Sequence, residues 1–359
     1  MAKCVKCLIP DIVPGVVLDE KGTCNLCNDF SIHNSVSTQE EDRLIREYDL
    51  NKTIKEAKAN EAEYDCIVPV SGGKDSIYLL YKLKIEYGLN ILAFTTDINI
   101  PPIAWDNIRR TIKKLDIDHV IYRPSAEFYE KLFRHLLKNQ EERGAVYTIS
   151  YVYAPLFEGD AIKLAIEKGI PLIFAGYSPG QPEPERMLYE MPRELLTEVD
   201  WTPPALKQCS EFTEDELSRF YNPNNYPKNT QVPRYLAPYH AWEYNQENVM
   251  KDVVKLGLVK SSKHASPIFS NYPINWLLMY SDLKHFGYNP YVPEFSALIR
   301  EGKANRLQWK ILGPLVDFML RSKMFLGKDV TRNLKWLNIK EEDLCINQAK
   351  GVYDPPLSK

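Results

Sequence analysis

One hexapeptide, Ser71-Gly72-Gly73-Lys74-Asp75-Ser76, constrains this chain more than any other feature. Before it, Tyr64-Asp65-Cys66-Ile67-Val68-Pro69-Val70 is a short apolar, β-branched run that predicts a buried strand. After it, Ile77, Leu79, Leu80, Leu83 and Ile85 recur at helical spacing, predicting a helix from about Lys74 to Glu86 that Gly88 ends. A strand that passes into a helix through two glycines exposes backbone N–H groups with no side chain in front of them, and the helix adds its positive end. Ser71 and Ser76 contribute hydroxyl donors and Lys74 a point charge, so the turn reads as a seat for phosphate. Asp75 suits either a helix start or a ligand to the Mg²⁺ that accompanies phosphates.

The pattern continues as alternating elements: strand over Asn90 to Thr96, helix over Ile103 to Leu115, strand over His119 to Tyr122, helix over Ala126 to Leu137, helix around Gly159 to Lys168, strand over Pro171 to Gly176. This predicts an α/β unit with a mainly parallel sheet and helices on both faces, its ligand loops gathered at the carboxyl edge. Residues 64–245 form that domain, with Arg234 to Tyr239 as a last strand and a long irregular insertion over about 177–229 that reads as a lid. Residues 31–63 read as linker helices, and 246–359 as a helical C-terminal subdomain.

Four of the seven cysteines fall in the first 27 residues, as Cys4-x-x-Cys7 and Cys24-x-x-Cys27. Two such turns offer four sulfurs to one tetrahedral ion, the pattern of a structural zinc ribbon over residues 1–30; Zn²⁺ would stabilise a segment too small for its own core. Two redox dithiols and an iron–sulfur cluster are the other readings of these pairs. The formal net charge of −3 gives no bulk reason to expect nucleic acid, without excluding it. No apolar stretch is long enough to cross a bilayer, and the first residues lack the apolar segment of a secretion signal, so the expected location is cytoplasmic and off the membrane.

The hexapeptide resembles the Ser-Gly-Gly-x-Asp-Ser signature of the PP-loop ATP pyrophosphatases. That resemblance implies the adenine nucleotide alpha hydrolase fold, ATP and Mg²⁺ as cofactors, and cleavage between the α and β phosphates. Lys74, Asp75 and Ser76 then act at the phosphates, while Val70, Thr95, Thr96, Asp97, Gly176 and Tyr177 surround the adenosine; Asp97 reads equally as a turn residue. Cys4 to Asp11, Pro14 to Cys27 and Tyr64 to Ser76 together are similar to the N-acetyl sugar amidotransferase family, and Pro293 to Gly302 with Arg306 resembles a C-terminal pattern of that family. The resemblance implies that the acetamido oxygen of an N-acetyl sugar, free or nucleotide-linked, takes AMP from ATP. Ammonia from a separate glutaminase subunit then displaces AMP to leave an acetamidino group on a surface-glycan precursor such as lipopolysaccharide or nonulosonic acid.

Sulfur transfer to a tRNA base or small molecule uses the same adenylate and is the second reading, with Cys209 or Cys345 as sulfur carriers and Cys66 as a packing residue. A non-catalytic ATP-binding assembly protein is the third. Glu183, Glu185 and Arg186 follow the fourth strand, where they suit Mg²⁺, amine or phosphate as well as a solvated loop. Arg300 and Arg306 suit a substrate diphosphate or helix-surface ion pairs. His240, His264 and His285 read as packed or surface residues, and Tyr147, Tyr151, Tyr153, Tyr177 and Tyr189 are compatible with stacking or with core packing. Oligomeric state is left open, a homodimer included.

Overall fold

The computed structural model describes residues 2–33, 36–60, 62–179 and 187–354. Strands β1 (Cys66–Pro69), β2 (Ile91–Thr96), β3 (Asp118–Tyr122), β4 (Leu172–Phe174) and β5 (Arg234–Leu236) form one sheet in the order β3-β2-β1-β4-β5. Every pairing in it is parallel. Helices α1 (Asn25–His33), α2 (Val36–Lys58), α3 (Lys74–Tyr81), α4 (Pro102–Leu115), α5 (Ala126–Lys138) and α6 (Ala145–Lys168) precede β4. Helices α7 (Gln246–Lys255), α8 (Ile274–Phe286), α9 (Val292–Arg300), α10 (Arg306–Ser322) and α11 (Lys328–Trp336) follow β5.

The central strands β1, β2 and β4 are buried on both faces, which is why they read as unbroken apolar runs, whereas the edge strand β3 is largely exposed. Cys66, Val68, Ile91 and Ala93 face one side, where Leu50 and Ile54 of α2, Leu80 of α3, Ile108 of α4 and Val253 of α7 cover them. Ile67, Leu92 and Phe94 face the other, against Ala161, Ile162 and Ala165 of α6. Helices on both faces of a parallel sheet make this the doubly wound α/β class, with a small Cys-rich module before it and a helical part after it.

Two elements differ from expectation. The stretch after β4 is no free lid over its described part: Met187, Leu195, Trp201 and Tyr221 are buried in the α6-side core, and Arg193–Thr197, Pro204–Lys207 and Glu214–Leu217 are single helical turns. Its apolar anchors are spaced widely among Pro and Glu, which hides them from a periodicity argument. Helix α6 starts at Ala145 rather than near Gly159 and carries Pro155 inside it.

The start of α6 is tied to α8. The Asp282 carboxylate accepts the Ala145 N–H at 2.5 Å and the Val146 N–H at 3.0 Å, satisfying donors that a helix start leaves open. Gly144, at φ +93°, precedes them, and a Cβ there would lie 2.4 Å from Asp282 Oδ1. This joint belongs to a second core, formed by α5, the first half of α6, α8, α10 and α11, away from the sheet.

Sheet order reverses between β1 and β4, the place where doubly wound sheets open a crevice. β1 shares four partner pairs with β2 but only Ile67↔Ile173 with β4, and it ends in Pro69. Among the described residues no helix is long and apolar enough to cross a membrane.

Burial pushes the Asp282 carboxyl up from its ordinary 3.8 to about 7, despite the opposing pull of the two N–H donors. The folded protein then holds this proton more tightly than the unfolded chain, so its contribution to stability falls as pH rises from about 4 to about 7. Asp282→Asn is expected to flatten the slope, read as urea midpoints at about pH 4.5 and about pH 7.5; an unaltered slope would refute the assignment.

Candidate active site

The loop between β1 and α3 lies in that crevice and is built from backbone close approaches. Gly72 has φ +80°, and a Cβ there would stand 2.4 Å from the Ala104 carbonyl of α4. On the β4 side, a Cβ on Gly176 would come within 3.0 Å of the Ser76 nitrogen, so the loops after β1 and β4 meet with no side chain between them. Asn107, fully buried on α4, donates to the Gly72 carbonyl and to the His264 carbonyl, both at 2.9 Å, pinning the loop from behind. Ser71 and Ser76 hydroxyls lie 3.3 Å apart at the mouth of α3, and Ser76 donates to the Gly73 carbonyl at 3.1 Å.

The ammonium of Lys74 is buried, with its side chain 6% exposed. It pairs with Asp75 Oδ2 at 2.5 Å and donates to the Tyr244 hydroxyl at 3.4 Å, while that hydroxyl donates to Asp75 Oδ1 at 3.1 Å. Tyr239 donates to the Asp75 carbonyl at 2.7 Å. Burial alone pulls the Lys74 pKa down, but the Asp75 carboxylate and Tyr244 outweigh it and raise it, so the group is cationic across physiological pH. Each Asp75 carboxylate oxygen thus has a partner within the protein, Lys74 on one and Tyr244 on the other.

A cavity of about 740 Å³ opens over this loop. Val70, Ser71, Gly73, Lys74, Asp75, Ser76, Thr96, Gly176 and Tyr177 border it, and Gly72 backs onto α4 just behind. The Thr96 hydroxyl is buried without a hydrogen-bond partner among the described residues, an acceptor and donor left for a bound group. Thr95 instead donates to the Val70 carbonyl at 2.8 Å and meets His119 Nε2 at 2.8 Å, and burial holds that imidazole down at about 4, hence neutral. Asp97 does not border the cavity: it accepts from Arg123 Nε and Nη2 at 2.8 and 2.6 Å. Glu183, Glu185 and Arg186 lie outside the described residues.

The far wall of the cavity is the cysteine module. Cys4, Cys7, Cys24 and Cys27 are all buried, with their sulfurs within 4.8 Å of one another. Cys4 and Cys27 sulfurs are 3.8 Å apart and those of Cys7 and Cys24 3.6 Å. Thiolates about 2.3 Å from one tetrahedral ion stand about 3.8 Å apart, so the group fits a single ion. A multi-iron cluster, with an iron behind each sulfur, needs them more widely spread. Burial pushes the Cys4 thiol up, but N–H groups of Cys7, Cys24 and Lys6 directed at it bring it down to about 6, while burial raises Cys24 to about 11.

Arg300 and Arg306 serve this module. Arg300 Nη1 donates to Cys7 Sγ at 3.5 Å and Arg306 Nε to the Lys6 carbonyl at 3.1 Å, although Arg306 also borders the cavity. Among the described residues only Cys4 and Cys7 bring a cysteine to the cavity wall. Cys66 is buried in β1, Cys345 is exposed and donates to the Glu342 carbonyl, and Cys209 lies 3.9 Å from His135 Nδ1. His240, His264 and His285 do not border it either.

No family model matches the chain, and no curated protein is detectably similar to it. Among solved structures, it is similar to U34-tRNA thiolase NcsA from Methanococcus maripaludis with its [4Fe-4S] cluster, at 13% identity over 97% of this chain and 92% of that one, TM-score 0.35. It is also similar to NMN synthetase from Francisella tularensis, at 12% identity over 86% and 98%, TM-score 0.35. NH3-dependent NAD synthetase from Campylobacter jejuni, in complex with nitrate, gives 14% identity over 82% and 96%, TM-score 0.34.

Removing one member of a buried ion pair leaves the other uncompensated, whereas removing both does not. Lys74→Met is therefore expected to cost about 3 kcal/mol in urea unfolding, and Lys74→Met with Asp75→Leu to recover most of it. Equal stability of the single and double variants would contradict the pairing.

Proposed function

We propose that the chain is an ATP-dependent, AMP- and pyrophosphate-forming amidotransferase acting on the acetamido group of an N-acetyl sugar. The observation that carries this reading is the loop itself: glycines, hydroxyls, a helix start and a buried ammonium converge on one cavity large enough for a nucleotide. Adenosine would lie over the β1, β2 and β4 ends, its polar groups within reach of Thr96, with the phosphates on Ser71, Gly73, Lys74 and Ser76 and their charge balanced in part by Mg²⁺ brought with the nucleotide. An amide carbonyl is a poor electrophile, and transfer of AMP to its oxygen makes that oxygen a leaving group. The protein then needs to align two reactants and stabilise the departing pyrophosphate, for which Lys74 is placed. Nitrogen arrives as ammonia from a partner glutaminase.

The placement of the cysteines favours this over persulfide transfer, since Cys66, Cys209 and Cys345 all lie away from the cavity. The test is pyrophosphate release from Mg·ATP with UDP-linked N-acetyl sugars and ammonium, with product mass measured alongside. Sugar-dependent release and a mass change of about −1 Da, O replaced by NH, are expected. A gain of about 16 Da with sulfide in place of ammonium would transfer the assignment to thiolation, and nucleotide binding without release would favour an assembly protein.

The four thiolates, with every position of a tetrahedron filled by protein, fit structural Zn²⁺. About one zinc per chain is expected by elemental analysis, lost in Cys4→Ser together with a fall in thermal stability. Metal-free protein of unchanged stability would contradict it.

A further inference from the structure

A second chamber of about 750 Å³ adjoins the first. The two share Tyr153, Phe157, Tyr177, Tyr272, Asn275 and Glu294 as walls, so the partition between them is largely aromatic. It is also held in place: the Tyr177 hydroxyl donates to Glu158 at 2.5 Å, and the Tyr153 and Tyr272 rings meet edge to face with centroids 6.2 Å apart.

The chambers differ in charge. Lys3, Lys74, Arg306 and Lys310 border the first, which suits a polyphosphate. Among the described residues lining the second, Arg332 is the one cation, and it is 72% exposed and paired with Asp329 at 2.6 Å, so it sits at the rim already compensated. Inside are Phe133, Tyr151, Ile149 and Trp336, with Ser150 and Asn99 exposed at the mouth. Flat aromatic faces with scattered hydroxyl and carboxamide groups match a neutral ring bearing hydroxyls better than a hydrocarbon or a polyanion. At the partition, the Asn275 carboxamide makes no hydrogen bond among the described residues, and its one acceptor and one donor face complement an amide.

We propose that this second chamber is the acceptor subsite: it takes the neutral N-acetylated ring, Asn275 grips the acetamido group at the partition, and any diphosphate tail stays outside at the Arg332 rim. The assignment rests on the amidotransferase reading and adds where and how its acceptor is held. Asn275 is a binding residue here, and Ala154 and Ser150, one helical turn apart on α6, border the second chamber alone.

The test is calorimetric titration of the full chain, saturated with a non-hydrolysable ATP analogue, with N-acetylglucosamine and with its UDP-linked form. Ala154→Phe, which fills the chamber, and Asn275→Leu are each expected to weaken sugar binding by about tenfold or more, and Ala154→Phe, at a residue that does not border the first cavity, to leave the affinity for the ATP analogue within about twofold. Ser150→Trp at the exposed mouth gives the same expected loss should Ala154→Phe fail to fold. Wild-type sugar affinity in these variants overturns the subsite. Binding of neither sugar by the unaltered protein overturns the N-acetyl sugar reading itself, and the subsite with it.

Discussion

A buried ammonium needs a carboxylate, and the pairing of Lys74 with Asp75 is the interaction on which the rest of the site depends. Neighbours in sequence at a helix start, the two side chains would ordinarily part into solvent. Tyr244 bridges the two side chains and Tyr239 holds the Asp75 carbonyl, both reaching back from beyond β5 over a separation of more than 160 residues. The local turn therefore shares its hydrogen bonds with residues that follow the last strand. Loop, sheet edge and the segment leading into α7 are joined through these contacts.

Much of this was legible in the sequence, because strand β1, the glycine pair and α3 each have a local cause. The burial of both sheet faces follows from runs such as Ile67-Val68 and Ile91-Leu92-Ala93, which have no polar alternate positions. Asn107 could have been found: it falls on the same face of α4 as Ala104, Ile108 and Thr111, where a carboxamide must be bonded to be buried. Tyr244 could not, since nothing local distinguishes it from the many other tyrosines of the chain. Arg300 and Arg306 show the same limit from the other side. Guanidinium groups suit phosphates and metal-site sulfurs alike, and only the tertiary arrangement decides between them.

The cysteine module is more than an appendage to the fold. Cys4 and Cys7 line the cavity beside the Ser71–Ser76 loop, and their turn is clasped by α9 and the start of α10. The module is thus a wall of the cavity in which the four buried sulfurs sit among Ile9, Val13 and Val16, with Tyr288, Val292 and Ile299 packed against them. The charge distribution in the cavity follows from the same arrangement, since Lys3 and Arg306 enter it from this side.

Pro69 has a consequence for the opening of the crevice. Successive N–H groups of a parallel strand point to alternate neighbours, and that of Val70 goes to the Phe94 carbonyl on β2. The preceding position faces β4, and there the imino acid has no hydrogen to give. The β1–β4 ladder consequently stops short of the Ser71–Ser76 loop, with Ile67↔Ile173 as its one partner pair. The entrance is covalently written into the chain, present before any ligand arrives, and no binding energy is diverted into prising the strands apart.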